Sequence, residues 1–145
     1  MPVETLRILL AEDDDAHAEL LSHSLKKVEH PVEISRVRDG QEAMDRLHEL
    51  LDDPDGQLPG LILLDVNMPR VNGLDALEAI KTDDRIRHVP TIMLTTSDAS
   101  ADRLRAYDRS ANGYLIKPAE YKELRALVTN LVEYWGRWNK PAPRT

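Results

Sequence analysis

The chain has 145 residues, 19 Lys plus Arg against 26 Asp plus Glu, a net charge of −7 and no cysteine. This length suits one domain around one core, and the acidic balance argues against binding a phosphate backbone, which needs a basic face. Disulfides and thiolate metal sites are excluded, no signal-peptide pattern opens the chain, and no apolar run approaches the ~18 residues of a membrane helix, so a cytoplasmic protein is expected.

The apolar run at 6–11 predicts a first strand, and it ends in Glu12-Asp13-Asp14-Asp15. Asp14 or Asp15 suits the cap of a following helix, in which Leu21, Leu25 and Val28 share a face. A second strand is expected over 32–37. The turn pair Asp39-Gly40 then leads into a helix with Ala43, Leu47, Leu50 and Leu51 on one side, followed by a polar loop over 51–60. The run at 61–64 predicts a third strand ending on Asp65, and Leu74, Leu77 and Ile80 mark a third helix. A fourth strand over 91–94 ends in Thr95-Thr96-Ser97, and Ala101, Leu104 and Tyr107 form a weak helical stripe after it. A fifth strand over 114–116 ends in Lys117-Pro118. The last helix carries Leu124, Leu127, Val128, Leu131 and Trp135, with Gly136 as a C-terminal cap and Pro141 and Pro143 beyond.

The first, third and fourth strands are nearly continuous apolar runs, as in parallel strands covered on both faces. Five βα units therefore predict a doubly wound α/β sheet forming one domain, with its core over about 6–136, a short tail at 137–145 and no output domain.

Ligands of such sheets bind beyond the carboxyl ends of the strands. Four of the five expected strand ends place charged or hydroxylic groups there: Glu12 and Asp13, Asp65, Thr95, and Lys117. Clustered carboxylates repel, and a hard divalent cation relieves that repulsion. Oxygen ligands without Cys or a close His pair favour Mg²⁺ over zinc. An acid, a cation, an ammonium and a hydroxyl around one point suit phosphoryl chemistry, with Asp65 able to act as the nucleophile.

Together "ILLAEDDD", "LILLDVNMPRVNG", "TIMLTT" and "GYLIKP" resemble the receiver domain of bacterial two-component response regulators, over about 6–136. The resemblance implies a flavodoxin-like sheet of order 2-1-3-4-5 with five helices. It implies Asp65 as phosphoacceptor, with Mg²⁺ held by Asp13 directly, by Glu12 mainly through water, by Asp65 and by the Asn67 backbone carbonyl. Thr95 becomes the switch hydroxyl, Lys117 the phosphoryl contact before a cis Lys117-Pro118 bond, Tyr114 the aromatic that swings inward, and Gly73 the residue that permits the turn after the acceptor loop. Glu12 departs from the Asp that many receivers have at the first acidic position. The loop before the third strand, "LTTSDAS" and "VEYWGRW" are further similar to single-domain regulators that partner bacterial phytochromes. That similarity implies a light-sensing histidine kinase upstream, or a histidine phosphotransfer protein, and a homodimer through the C-terminal helix.

Plainer readings exist for each residue. Asp65 alone reads as a cap, Thr95 as a strand-end hydroxyl and Lys117 as a solvated loop lysine; their shared edge argues for a site. His17, His23, His30, His48 and His88 lack ligand or triad spacing and are expected on the surface. Trp138 fits either an interface or packing against its own domain. Two other function classes compete with a switch that slowly hydrolyses its own phosphate and is not a turnover enzyme. A phosphohydrolase with an Asp nucleophile usually has a second acid two residues on, where this chain has Asn67. A phosphorylation-independent interaction module tends to lose the acid pair or the lysine, and both are present.

Overall fold

A computed structural model describes residues 4–143, so the outermost ends of the expected domain, 1–3 and 144–145, lie outside the described residues. The strands are β1 (Leu6–Ala11), β2 (Val32–Val37), β3 (Leu61–Leu64), β4 (Thr91–Thr95) and β5 (Gly113–Ile116). The helices are α1 (Asp15–Lys26), α2 (Gly40–Asp52), α3 (Gly73–Lys81), α4 (Ser100–Asp108) and α5 (Tyr121–Val132), with a π-helical turn at Glu133–Trp138. All strand pairs are parallel and the order is β2-β1-β3-β4-β5, the flavodoxin-like arrangement expected from the resemblance.

The three apolar runs form the sheet centre. Successive side chains of a strand alternate between faces, so β1 sends Leu9 and Ala11 to one core and Leu6, Ile8 and Leu10 to the other. The first core takes Ala43 and Leu47 of α2 with Leu74, Leu77 and Ile80 of α3. The second takes Ala18, Leu21 and Leu25 of α1 with Leu124, Val128 and Leu131 of α5. Side-chain caps start three of the helices: Asp14 accepts from His17 N, Asp39 from Glu42 N, and Asn72 from Asp75 N.

Three expectations are corrected. The stripe expected on α4 faces solvent, with Leu104 64% and Tyr107 54% exposed, and only Ala106 is buried. Ser97 Oγ donates to Asp102 Oδ2 at 2.7 Å, so the side of α4 that carries Asp102 faces the β4–α4 loop. Gly136 does not end the last helix, because the chain continues through a π turn and Asn139 N donates to Tyr134 O at 2.7 Å. The bare Gly136 lets the His30 ring pack against that turn. No cis peptide is found among the described residues, so Lys117-Pro118 is trans, the isomer ordinarily favoured for such bonds by about 0.5–1 kcal/mol.

Candidate functional site

In the order β2-β1-β3, the chain leaves β1 toward opposite sides of the sheet, and this switch point is where ligands of such folds bind. Two acidic strand ends flank it. Ala11 pairs with Leu64, so Glu12 and Asp65 emerge side by side, and Asp65 N donates to Ala11 O at 3.1 Å. Next along the sheet comes Thr95 at the end of β4, and then Lys117 after β5. Lys117 is aimed back by its N–H, which donates to Thr95 O at 2.8 Å.

The side chains converge. Thr95 Oγ1 donates to Asp65 Oδ1 at 2.8 Å, and Asn67 N donates to the same oxygen at 3.2 Å. Lys117 Nζ donates to Asp65 Oδ2 at 3.0 Å and to Glu12 Oε1 at 2.7 Å. Glu12, Asp13 and Asp65 can each offer a carboxylate oxygen within 4.8 Å of the others. Glu12 and Asp65 are buried, whereas Asp13 and Asn67 are exposed. An adjacent cleft of about 570 Å³ is lined by residues including Asp13, Asn67, Pro69, Asp102 and Arg105. Gly73 packs so closely on the Asp65 carbonyl that any Cβ there would collide, although its φ is not positive. Its smallness therefore serves close approach rather than turn conformation.

Burial first, and then the hydrogen bond with Asp65, raise the pKa of Glu12 to about 8, with Lys117 only partly opposing them. For Asp65, burial also pushes upward, but the bonds from Glu12, Lys117 and Thr95 outweigh it and hold the carboxyl below its ordinary value. The opposite directions of the two shifts favour a proton on Glu12 over one on Asp65, which suits Asp65 to act as the nucleophile.

The sequence model of the response regulator receiver domain matches residues 8–129. The chain belongs to the response regulator receiver domain family. The receiver is 40% identical over 139 residues to the probable methanogenesis regulatory protein FilR2 of Methanothrix harundinacea, covering 94% of this chain and 88% of that protein. It is 34% identical to the response regulator Rcp1 of Synechocystis sp., covering 88% of this chain and 87% of that protein. The crystal structure of the phosphorylated cyanobacterial phytochrome response regulator RcpA superposes with a TM-score of 0.88 at 32% identity, covering 97% of this chain and 100% of that chain. The Mn²⁺-bound form of Rcp1 gives 0.85 at 31% identity, covering 98% and 100%. The narrower similarity to phytochrome-linked regulators is thereby borne out.

The donor set of the receiver suits a hard divalent cation. All the cluster ligands are carboxylate oxygens, and Glu12 Oε2 is buried without a hydrogen-bond partner, an orphan that a cation or its water would satisfy.

Two contributors escaped the sequence reading. His17 was expected on the surface, yet its half-buried ring places Nδ1 3.1 Å from Glu12 Oε1 and 3.4 Å from Lys117 Nζ. It sits one turn into α1, and only the folded path of 12–17 reveals that proximity. Arg36 on β2 donates from Nε and Nη2 to the Glu12 carbonyl at 2.9 and 2.7 Å, and from Nη1 to Asp15 at 2.8 Å. Only the register of β1 and β2, which pairs Leu10 with Arg36, brings it there.

Thr95 and Tyr114 are linked through one residue. Ser97 N donates to Thr95 Oγ1 at 3.1 Å, and Tyr114 Oη donates to Ser97 O at 2.8 Å. Burial raises the Tyr114 pKa, the bond to Ser97 partly opposing it, so the phenol stays a donor.

Proposed function

We propose that this receiver accepts a phosphoryl group on Asp65 from a histidine kinase or histidine phosphotransfer protein in the cytoplasm, with Mg²⁺ held by Glu12, Asp13, Asp65 and the Asn67 carbonyl. The observation that carries this reading is the Asp65 carboxyl group bonded to both Thr95 and Lys117 at the edge of the acidic cluster. A carboxylate oxygen of Asp65 attacks phosphorus. The new O–P bond forms as the N–P bond of the donor phosphohistidine breaks, and the leaving imidazole keeps the bonding electrons and takes up a proton. Bound Mg²⁺ neutralises charge on the phosphoryl oxygens. Lys117 adds a second positive charge, and the Thr95 hydroxyl turns from the carboxylate to the phosphoryl group.

As Thr95 moves, Ser97 N loses its hydrogen-bond acceptor, and the Tyr114 ring, already packed inward with its hydroxyl on Ser97 O, is repositioned with it. These changes shift a two-state equilibrium on the surface of α4, β5 and α5. Water slowly hydrolyses the acyl phosphate, so the domain resets itself without being a turnover enzyme. Similarity to RcpA and Rcp1 favours a phytochrome kinase as the donor. The exposed Tyr134 and Trp138 beside α5 favour a homodimer through the C-terminal helix region.

Phosphotransfer from candidate kinases, a phytochrome kinase among them, tests this with wild type and Asp65→Asn. Label on wild type alone, lost on chelation of Mg²⁺, is the expected result. Label on Asp65→Asn, or labelling insensitive to chelation, would contradict it.

A further inference from the structure

Arg70 has φ 61°, in the left-handed region that non-glycine residues rarely occupy. Such a backbone persists only where its surroundings over-determine it. Here the constraint comes from α2: Arg70 Nε donates to Asp39 Oδ2 at 2.8 Å and Nη2 donates to Oδ1 at 3.2 Å. Asp39 is itself fixed, being buried at the N-terminus of α2 and accepting from Glu42 N at 2.9 Å. One residue further on, Gly40 N donates to Val71 O at 2.8 Å, with the two backbones so close that a Cβ on Gly40 would collide.

The acceptor loop is therefore fastened at both ends. At one end Asn67 N bonds to Asp65, and Gly73 N donates to Val66 O at 3.0 Å. At the other, Arg70 and Val71 are stapled to α2. Asn67, with its backbone carbonyl, lies between the fastenings. We propose that Asp39 and Arg70 are positioning residues whose ion pair sets where the Asn67 carbonyl lies relative to the divalent cation.

This inference rests on the Mg²⁺ site proposed above. A purely structural role is the competing reading, and Arg70→Gly separates the two. Glycine takes the positive φ without strain, while the fork to Asp39 is lost. The Arg70 end of the pair is largely exposed, and Asp39, though buried, keeps its bond from Glu42 N when Arg70 is removed, so melting should fall only modestly and less than in Asp39→Asn.

The experiment is an Mg²⁺ titration of the full chain, followed through the amide resonances of Asp65 and Asn67, with melting measured on the same samples. Arg70→Gly and Asp39→Asn are expected to bind Mg²⁺ on the order of tenfold more weakly than wild type, the scale seen when a group orienting a metal ligand is removed. Arg70→Gly melts only slightly below wild type, and the Mg²⁺ affinity of Arg70→Lys, which retains the charge without the fork, falls between the two. Equal Mg²⁺ affinity in wild type and Arg70→Gly would overturn the proposal. A wild type that binds no Mg²⁺ would overturn the site reading beneath it, and the proposal with it.

Discussion

Burial and the neighbouring Asp65 raise the Glu12 pKa to about 8, well above the ordinary 4.5. A raised folded-state pKa contributes stability at low pH and loses it as pH rises through the folded value. Without metal, the melting temperature is therefore expected to fall between pH 4.5 and 8 on account of Glu12. Asp65 acts oppositely, its depressed value withdrawing stability only as pH falls below the ordinary 3.8. Mg²⁺ held at the proposed site would compete with the Glu12 proton, so its addition should raise melting more at pH 8 than at pH 5. Scanning calorimetry with and without Mg²⁺ measures this, and a metal effect independent of pH would contradict it. Thr95 supports a second expectation. Thr95→Val keeps the shape of the side chain and removes the hydroxyl bonded to Asp65. The variant should still incorporate phosphate from phosphoramidate, but phosphorylation should no longer alter hydrogen exchange in 99–110. A preserved response in that segment would remove Thr95 from the switch. Glu12, Asp65, Thr95 and Lys117 were legible as a group because each interrupts or ends an apolar strand. His17, Arg36 and the Asp39–Arg70 pair were not, since their roles come from distances between loops that no local pattern encodes.

Among the elements, α4 and α5 differ most in how they are held. Only Ala106 anchors α4, and that helix starts at Ala99 without a side-chain cap. Although α5 also lacks such a cap, it buries Leu124, Val128, Leu131 and Val132. Full burial of a Leu or Val side chain contributes about 1.5–3 kcal/mol, so α5 docks far more firmly. Amides of 99–110 should exchange faster than those of 121–135, and equal protection would count against α4 as the mobile element. The strand positions were readable to within a residue because parallel strands buried on both faces are solid apolar runs. The face of α4 was not, because a short helix rich in alanine has no strong stripe to fix its roll. Gly136 misled for a related reason: its lack of a side chain serves contact with His30 rather than a helix end.

For the whole molecule, the alternation of strands and helices was enough to predict a doubly wound sheet. The order β2-β1-β3-β4-β5 came from the family resemblance, because periodicity does not specify which strands are neighbours. Trp138, 64% exposed with the Arg137 guanidinium 5.1 Å from its ring centroid, does not pack into either core. If it serves a homodimer, Trp138→Ala should weaken self-association in sedimentation equilibrium without lowering the melting temperature, and an unchanged association constant would place the interface elsewhere. Glu12, Asp13, Asp65, Thr95 and Lys117, drawn from four separate strand ends, are proposed to act as one phosphoryl site. The most direct measurement treats the full chain with phosphoramidate and Mg²⁺, reduces the acyl phosphate with borohydride and maps the product by mass spectrometry. Homoserine at position 65, absent without Mg²⁺ and absent from Lys117→Ala, is the predicted result; modification at another carboxylate, or at Asp65 regardless of Mg²⁺, would contradict the account.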